Sequence, residues 1–263
     1  MKWPLKFCLA FDDGFKTQAT IAAPLLKKYG FKAAFNVPTE FMDPATRKLT
    51  QEQVWDCRLD GNEDNLMDWG DVRRLIAEGH EVYPHTLGHI DLLALEKEGK
   101  INEIWRQVAE SKRQFIEHLG FAPKFFCSPH NSNSALISRI IHENGMEIFA
   151  CNRRNFPTHP TANPQRIDVG DYLRGKYRKG TAVVDIMMHG VESSRGGWEP
   201  FADAAEFEAF LISLKSVVDE GFARVVPYSN AHRTIGRFAL PLRFYDRVVR
   251  RIRREFILRT SHA

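Results

Sequence analysis

Apolar and polar positions follow two different periods along this chain, and the change of period marks out its elements. The run Leu5–Phe11 (LKFCLAF) has the near-continuous hydrophobicity of a buried strand and ends abruptly in Asp12-Asp13-Gly14. Residues 17–29 then take helical spacing, closed by Gly30, the residue type suited to the turn after a helix. This succession recurs. Strands are predicted at 33–37, 80–83, 124–127, 147–151, 182–188 and 222–226, and helices at 72–78, 134–144 and 203–220. Residues 90–119 carry one long helix or two shorter ones, and Asp71 is placed to cap the helix at 72–78. Phe207, Phe210, Leu211 and Leu214 share one face of helix 203–220. Residues 40–69 and 153–166 keep neither period and read as loops, the first lying over one mouth of the domain.

Strands that alternate with helices pair in parallel through crossover connections. Seven of them suit an α/β fold of the (β/α) barrel type, distorted or incomplete, with a doubly wound sheet as the structural rival. The barrel is expected over 1–240 and a basic amphipathic helix and tail over 241–263. That tail holds Arg243, Arg247, Arg250, Arg251, Arg253, Arg254 and Arg259 against Asp246 and Glu255. The body that remains has 30 basic and 31 acidic side chains, so nothing marks it as nucleic-acid-binding. Tyr245, Val248, Val249, Ile252 and Phe256 recur at helical spacing in the tail. Such a helix either docks on the barrel or makes peripheral contact with anionic lipid or a pyrophosphate-linked glycan. No apolar run approaches the roughly 18 residues of a membrane span. The first residues lack a signal-peptide stretch, and the four cysteines form no C-x-x-C pair. The expectation is a reduced, cytoplasmic protein, associated at most with the inner face of a membrane.

The polar clusters fall immediately after predicted strands: Asp12-Asp13, His85-Thr86-Leu87-Gly88-His89, Ser128-Pro129-His130-Asn131 and His189-Gly190. In parallel α/β folds the C-terminal strand ends converge on one face, where active sites assemble, so these distant positions become neighbours. If the chain turns helical at His85 and His89, both imidazoles face the same way and can hold one cation with a carboxylate from the first strand end. Two nitrogens and one oxygen suit Zn²⁺ best, with Co²⁺, Ni²⁺, Mn²⁺ and Fe²⁺ also able to bind. Asp12 and Asp13 are consecutive, so their side chains should diverge, one to the metal and one to a proton. That division suits metal-assisted hydrolysis.

Phe11-Asp12-Asp13-Gly14, with Gly79-His80-Glu81-Val82 running into His85-Thr86-Leu87-Gly88-His89, resembles the polysaccharide deacetylase (NodB-homology) family, carbohydrate esterase family 4. Ile186-Met187-Met188-His189, Ala33-Ala34-Phe35-Asn36-Val37 and the segment from Met67 to Leu75 extend the likeness over roughly residues 5 to 190. The resemblance implies a distorted barrel that removes acyl groups from amino sugars. It implies Asp13, His85 and His89 as metal ligands, Asp12 as the general base for water, and His189 as the general acid for the leaving amine. One divalent cation follows, and so does a glycan or amino-sugar substrate. The cytoplasmic expectation adds a nucleotide- or lipid-linked precursor of a surface polysaccharide or O-antigen.

The third motif departs from the family, which has Arg-x-Pro-Tyr-Gly where this chain reads Cys127-Ser128-Pro129-His130-Asn131. Cys127 cannot supply the arginine that pairs with the catalytic aspartate. The backbone N–H at His130 can still serve an oxyanion hole, with Asn131 beside it. Arg153 or Arg154 is a candidate replacement partner for Asp12, and Trp198 is a candidate platform for a sugar ring. His80, His118, His142, His159 and His232 read as surface or helix-end residues. Two other functions stay open: a carbohydrate-binding pseudoenzyme, and a related hydrolase of cyclic amide C–N bonds.

Overall fold

In the computed structural model, which describes residues 3–56, 65–149, 168–195, 197 and 201–232, the sheet is assembled around β1 (Leu5–Phe11). The other strands are β2 (Ala34–Val37), β3 (Glu81–Pro84), β4 (Phe125–Cys127), β5 (Glu147–Phe149), β6 (Val183–Met188) and β7 (Ala223–Val225). All pairings among them are parallel. The main sheet runs β3-β2-β1-β6, with β7 also on β1. Because β6 lies along β1 from Lys6 to Phe11, the other edge of β1 is shared. There β7 takes Leu5 to Phe7, and β2 takes Ala10 and Phe11. β4 and β5 form a separate pair. The architecture is therefore an incomplete α/β barrel: among the described residues, no hydrogen-bond ladder joins the β4–β5 pair to the main sheet on either side.

The helices among the described residues are α1 (Ala23–Lys28), α2 (Gln51–Asp56), α3 (Trp69–Ala77), α4 (Leu92–Lys97), α5 (Ile101–Leu119), α6 (Ala135–Glu143), α7 (Val169–Arg178), α8 (Ala204–Asp219) and α9 (Tyr228–His232). Several differ from the sequence reading for local reasons. Helix α3 begins at Trp69 because Asp68, not Asp71, is its N-cap. The Asp68 carboxylate accepts from Asp71 N at 2.9 Å, and Asp71 accepts from Asp68 N at 3.2 Å, a reciprocal capping box. Residues 90–119 hold two helices, separated at Gly99 (φ 72°). Helix α7 is absent from the sequence reading, although Asp168 caps it by accepting from Asp171 N at 2.8 Å and Gly180 follows it. The expected loop at 40–69 contains α2 and a 3-10 turn, Thr39–Met42. Arg47 pins it, donating to Phe41 O at 2.6 Å and to Met67 O at 2.9 Å.

Alternation along the strands divides the sheet into two faces. Leu5, Phe7, Leu9 and Phe11 join Phe35, Val37, Val82, Val184, Ile186 and Met188 in the main hydrophobic core. Helices α1, α3, α7 and α8 cover it with Leu26, Leu75, Leu173, Leu211 and Leu214. The opposite face carries Cys8, Ala10, Asp12, Ala34, Asn36 and Asp185, all buried. It is small and polar, and it leads to the functional residues. A second core lies between α4, α5, α6 and β4, around Ile104, Phe126 and Ile140.

His80, expected at the surface or a helix end, is buried just after the end of α3. Its Nδ1 accepts the Ala33 N–H at 3.1 Å, and its ring meets Phe35 edge-on at 5.3 Å. Burial, with Lys32 nearby, lowers its pKa from 6.5 to about 4. Protonating Nδ1 would also abolish the bond from Ala33. The unfolded chain therefore binds more protons than the folded one between about pH 6.5 and about pH 4. Stability from this group is complete above that window and is lost as pH falls through it, by about 3 kcal/mol. Urea melts from pH 7 to pH 4 check this: His80→Leu should flatten the acid slope, and an unchanged slope would contradict the assignment.

The chain divides into two units, Met1–Tyr228 and Ser229–Ala263. The expected basic helix at 241–263 falls outside the described residues. No helix among the described residues is long and apolar enough to cross a membrane.

Candidate active site

β1 delivers Asp12 and Asp13 to the C-terminal edge of the sheet, and the backbone then breaks the strand pattern. Asp13 (φ 74°) and Gly14 (φ 73°) both take the left-handed conformation. Aspartate tolerates that region better than most residues. Glycine suits position 14 because its φ is one that side chains rarely adopt; the nearest atom a Cβ would meet is the flexible end of Met42, at 2.9 Å. The twist overrides the divergence expected of neighbouring side chains. Both carboxylates meet the same imidazole: His85 Nε2 lies 3.9 Å from Asp12 Oδ2 and 3.5 Å from Asp13 Oδ1.

β3 ends at Pro84, and His85 follows it. The segment from His85 to His89 is a turn and not a helix, with Thr86 (φ 65°) and His89 (φ 56°) left-handed. The two imidazoles converge nonetheless, because hydrogen bonds hold the turn on several sides. Leu87 N and Gly88 N both donate to Gln107 Oε1 of α5 at 3.1 Å. Gln53 Nε2 of α2 donates to Gly88 O at 2.7 Å, and Glu40 N donates to Leu87 O at 2.9 Å. Gln107 Nε2 donates to Glu103 at 2.8 Å, which fixes the orientation of its amide.

His85 Nδ1 lies 3.0 Å from Cys127 O. A carbonyl can only accept, so Nδ1 carries the proton and Nε2 presents its lone pair to the carboxylates. Cys127 thus contributes through its backbone where no guanidinium is available. His89 Nε2 lies 3.0 Å from Asp13 Oδ1, and His189 Nε2 lies 4.0 Å from Asp13 Oδ2. Burial opposes the charge of Asp13, but the nearby His89 and His189 and a hydrogen bond from His89 outweigh it. The carboxyl is held well below the usual carboxylate range.

The donor set fits a divalent cation. One ligand atom each from Asp13, His85 and His89 lies within 4.8 Å of the others, and all three residues are buried. Asp13 Oδ2 is buried without a hydrogen-bond partner. An ionised carboxylate in that condition wants a positive partner. One ligand atom each from Asp12, His85 and Cys127 likewise lies within 4.8 Å of the others. The thiol is the lesser candidate, because His85 Nε2 lies nearer Asp13.

His130 caps this cluster, its ring centroid 5.4 Å from that of His89 in an edge-to-face arrangement. It and Asn131 are exposed and left-handed (φ 56° and 52°) in the 3-10 turn Pro129–Asn131, so they stand at the mouth of the site. Trp198, Arg153 and Arg154 lie outside the described residues. Of the other histidines, His118 stacks on Trp69 at 4.5 Å and His142 lies in the last turn of α6.

Two buried amides were not anticipated from the sequence. Asn36 Nδ2 donates to Asp12 Oδ1 at 2.7 Å. Gln18 Nε2 donates to Asp12 O at 2.5 Å and to His189 O at 3.0 Å, tying the end of β1 to the end of β6. Gln18 opens a π-helical turn, Gln18–Ala22, a widening often found at functional sites. The one signal for Asn36 was a polar residue inside an otherwise apolar strand.

Fold and site together define a class: an incomplete α/β barrel with a buried carboxylate–imidazole cluster at the C-terminal ends of its strands. A family model described as polysaccharide deacetylase matches residues 6–149. The chain belongs to that family. A chitin deacetylase from Pestalotiopsis sp. is 27% identical over 150 residues, covering 57% of this chain and 42% of that protein. The chain thus spans less than half of that relative's length. Among solved structures, the Xyl-CE4 domain of a multidomain xylanase from the hindgut metagenome of Trinervitermes trinervoides is similar, with a TM-score of 0.58 at 15% identity. That alignment covers 89% of this chain and 92% of the other. A carbohydrate esterase family 4 pseudoenzyme from Bacillus anthracis reaches a TM-score of 0.56 at 15% identity, covering 87% and 65%. These two likenesses concern the fold.

Proposed function

We propose that this protein is a metal-dependent carbohydrate N-deacylase that removes an acetyl or formyl group from an amino sugar in a polysaccharide or its precursor. Family membership supports the reaction class. The observation that carries the chemistry is the meeting of Asp12 and Asp13 on His85, with His189 across Asp13. Asp13, His85 and His89 would hold one divalent cation, and zinc best matches two imidazole nitrogens and a carboxylate oxygen. Such a cation, when bound, polarises the acyl carbonyl and acidifies water.

The remaining steps belong to the chain's own groups. Asp12 accepts a proton from the attacking water through Oδ2, the oxygen that Asn36 does not engage. The C–O bond forms as that water adds to the acyl carbon, and His189 then donates a proton to the nitrogen as the amide C–N bond breaks. A carboxylate and a free amine leave. The turn at His130 supplies a backbone N–H for the developing oxyanion.

Release of acetate or formate from a panel of N-acylated amino sugars tests this reading. The panel should include free sugars, oligomers, and nucleotide- and lipid-linked forms, with metal content measured in parallel. Turnover by the metal-loaded protein, abolished by chelation and restored by zinc or cobalt, is the expected result. The Cys127-Ser128-Pro129-His130-Asn131 segment, with no guanidinium at Cys127, favours the rival reading of a sugar-binding pseudoenzyme. Bound metal with no release from any sugar would establish that rival.

A further inference from the structure

The register of β1 with β2 pairs Phe11 with Phe35. One residue further on, the same parallel alignment brings Asp12 beside Asn36, on the polar face of the sheet. Asn36 is wholly buried, on a short strand whose other residues are Ala34, Phe35 and Val37. An unpaired amide there would be costly, so the bond it makes is informative. Nδ2 donates to Asp12 Oδ1 at 2.7 Å, while Asn36 Oδ1 has no partner. The amide is thus anchored at this site by Asp12.

We propose that Asn36 is the positioning residue for Asp12, holding Oδ1 so that Oδ2 is the oxygen turned toward the reacting water. The proposal rests on Asp12 being the base. The carboxylate has two equivalent oxygens and a torsion free to rotate. Fixing one oxygen in a hydrogen bond selects the other and its direction. Gln18 holds the Asp12 main chain through its carbonyl. The Asn36 bond therefore governs the side-chain torsion separately from the backbone. The choice of donor matters too. A neutral amide orients the carboxylate without placing a formal positive charge next to the cluster of Asp13, His85 and His89, where it would repel a cation. A cationic donor would do both.

The test uses Asn36→Leu, which removes the donor at similar volume, and Asn36→Ala in case leucine does not pack. Full-length protein is loaded with cobalt, and its visible spectrum and affinity are compared with wild type. A crystal structure of the variant locates the Asp12 carboxylate. On the best substrate of the panel, kcat should fall about 100-fold, the loss that a misplaced reacting group produces. KM and the cobalt spectrum should not change, and the carboxylate should be rotated while Asp13, His85 and His89 stay in place. In an Asp12→Asn background, Asn36→Leu should cost nothing further. The proposal is overturned by a carboxylate unmoved in the crystal, by wild-type kcat, or by a loss that persists undiminished behind Asp12→Asn. Asp12→Asn turning over at the wild-type rate would instead remove the base assignment itself. If no substrate is turned over, the base assignment also falls, and the crystal alone decides whether Asn36 orients Asp12.

Discussion

An Asp13→Ala variant should lose its capacity to hold a divalent cation while keeping its fold. Both imidazole Nε2 atoms of the cluster are aimed at Asp13 Oδ1, at 3.5 and 3.0 Å. Its other oxygen is buried without a hydrogen-bond partner. Removing the carboxylate leaves two neutral imidazoles, a much weaker site. The affinity for zinc or cobalt should fall at least about 100-fold, since even partners one step outside a metal's ligands cost 10- to 100-fold. Thermal melting with and without metal provides the readout. Zinc at 100 times its Kd stabilises a protein by about 2.7 kcal/mol, which for a domain of this size raises Tm by about 5 to 10 °C. Wild type should show that rise and Asp13→Ala should not. An equal rise in both would mean that the cation binds elsewhere.

Asp12→Asn should separate proton transfer from metal binding. The substitution keeps the shape of the side chain, and its amide oxygen can still accept from Asn36, so the pocket need not rearrange. What disappears is the ability to take a proton. General-base catalysis contributes about 10²- to 10⁴-fold, and kcat should fall within that range with the cobalt spectrum retained. Stopped-time assays of acetate release, paired with metal analysis of the same samples, measure both. Loss of metal together with activity would reassign Asp12 as a ligand, which its 3.9 Å approach to His85 makes the meaningful alternative.

These two expectations differ because adjacent aspartates do different work, and the backbone at Asp13 is what allows it. A regular strand would point Asp12 and Asp13 to opposite faces of the sheet. The left-handed turn at Asp13 brings both to one imidazole instead. The same applies to His85 and His89. Their i, i+4 spacing suggested a helix, but a turn pinned by Gln107, Gln53 and Glu40 joins them. The residues were legible; the geometry that unites them was not. Spacing constrains how far apart two side chains can lie, while their direction depends on dihedral angles set by partners remote in sequence.

The amino-acid sequence by itself determined the strand–helix alternation, the parallel sheet, the family resemblance, and the Asp-Asp and His-x-x-x-His residues at strand ends. These follow from local hydrophobic period and from residue types that are costly to place without a partner. Tertiary structure alone decided that β2 and β7 share an edge of β1, that β4 and β5 stand apart, that Asn36 reaches Asp12 and that Gln18 reaches His189. It also decided that His80 is buried. Each of these depends on contacts between segments far apart in the chain. No window of sequence contains both partners of such a contact, and only packing chooses between the pairings that local pattern allows.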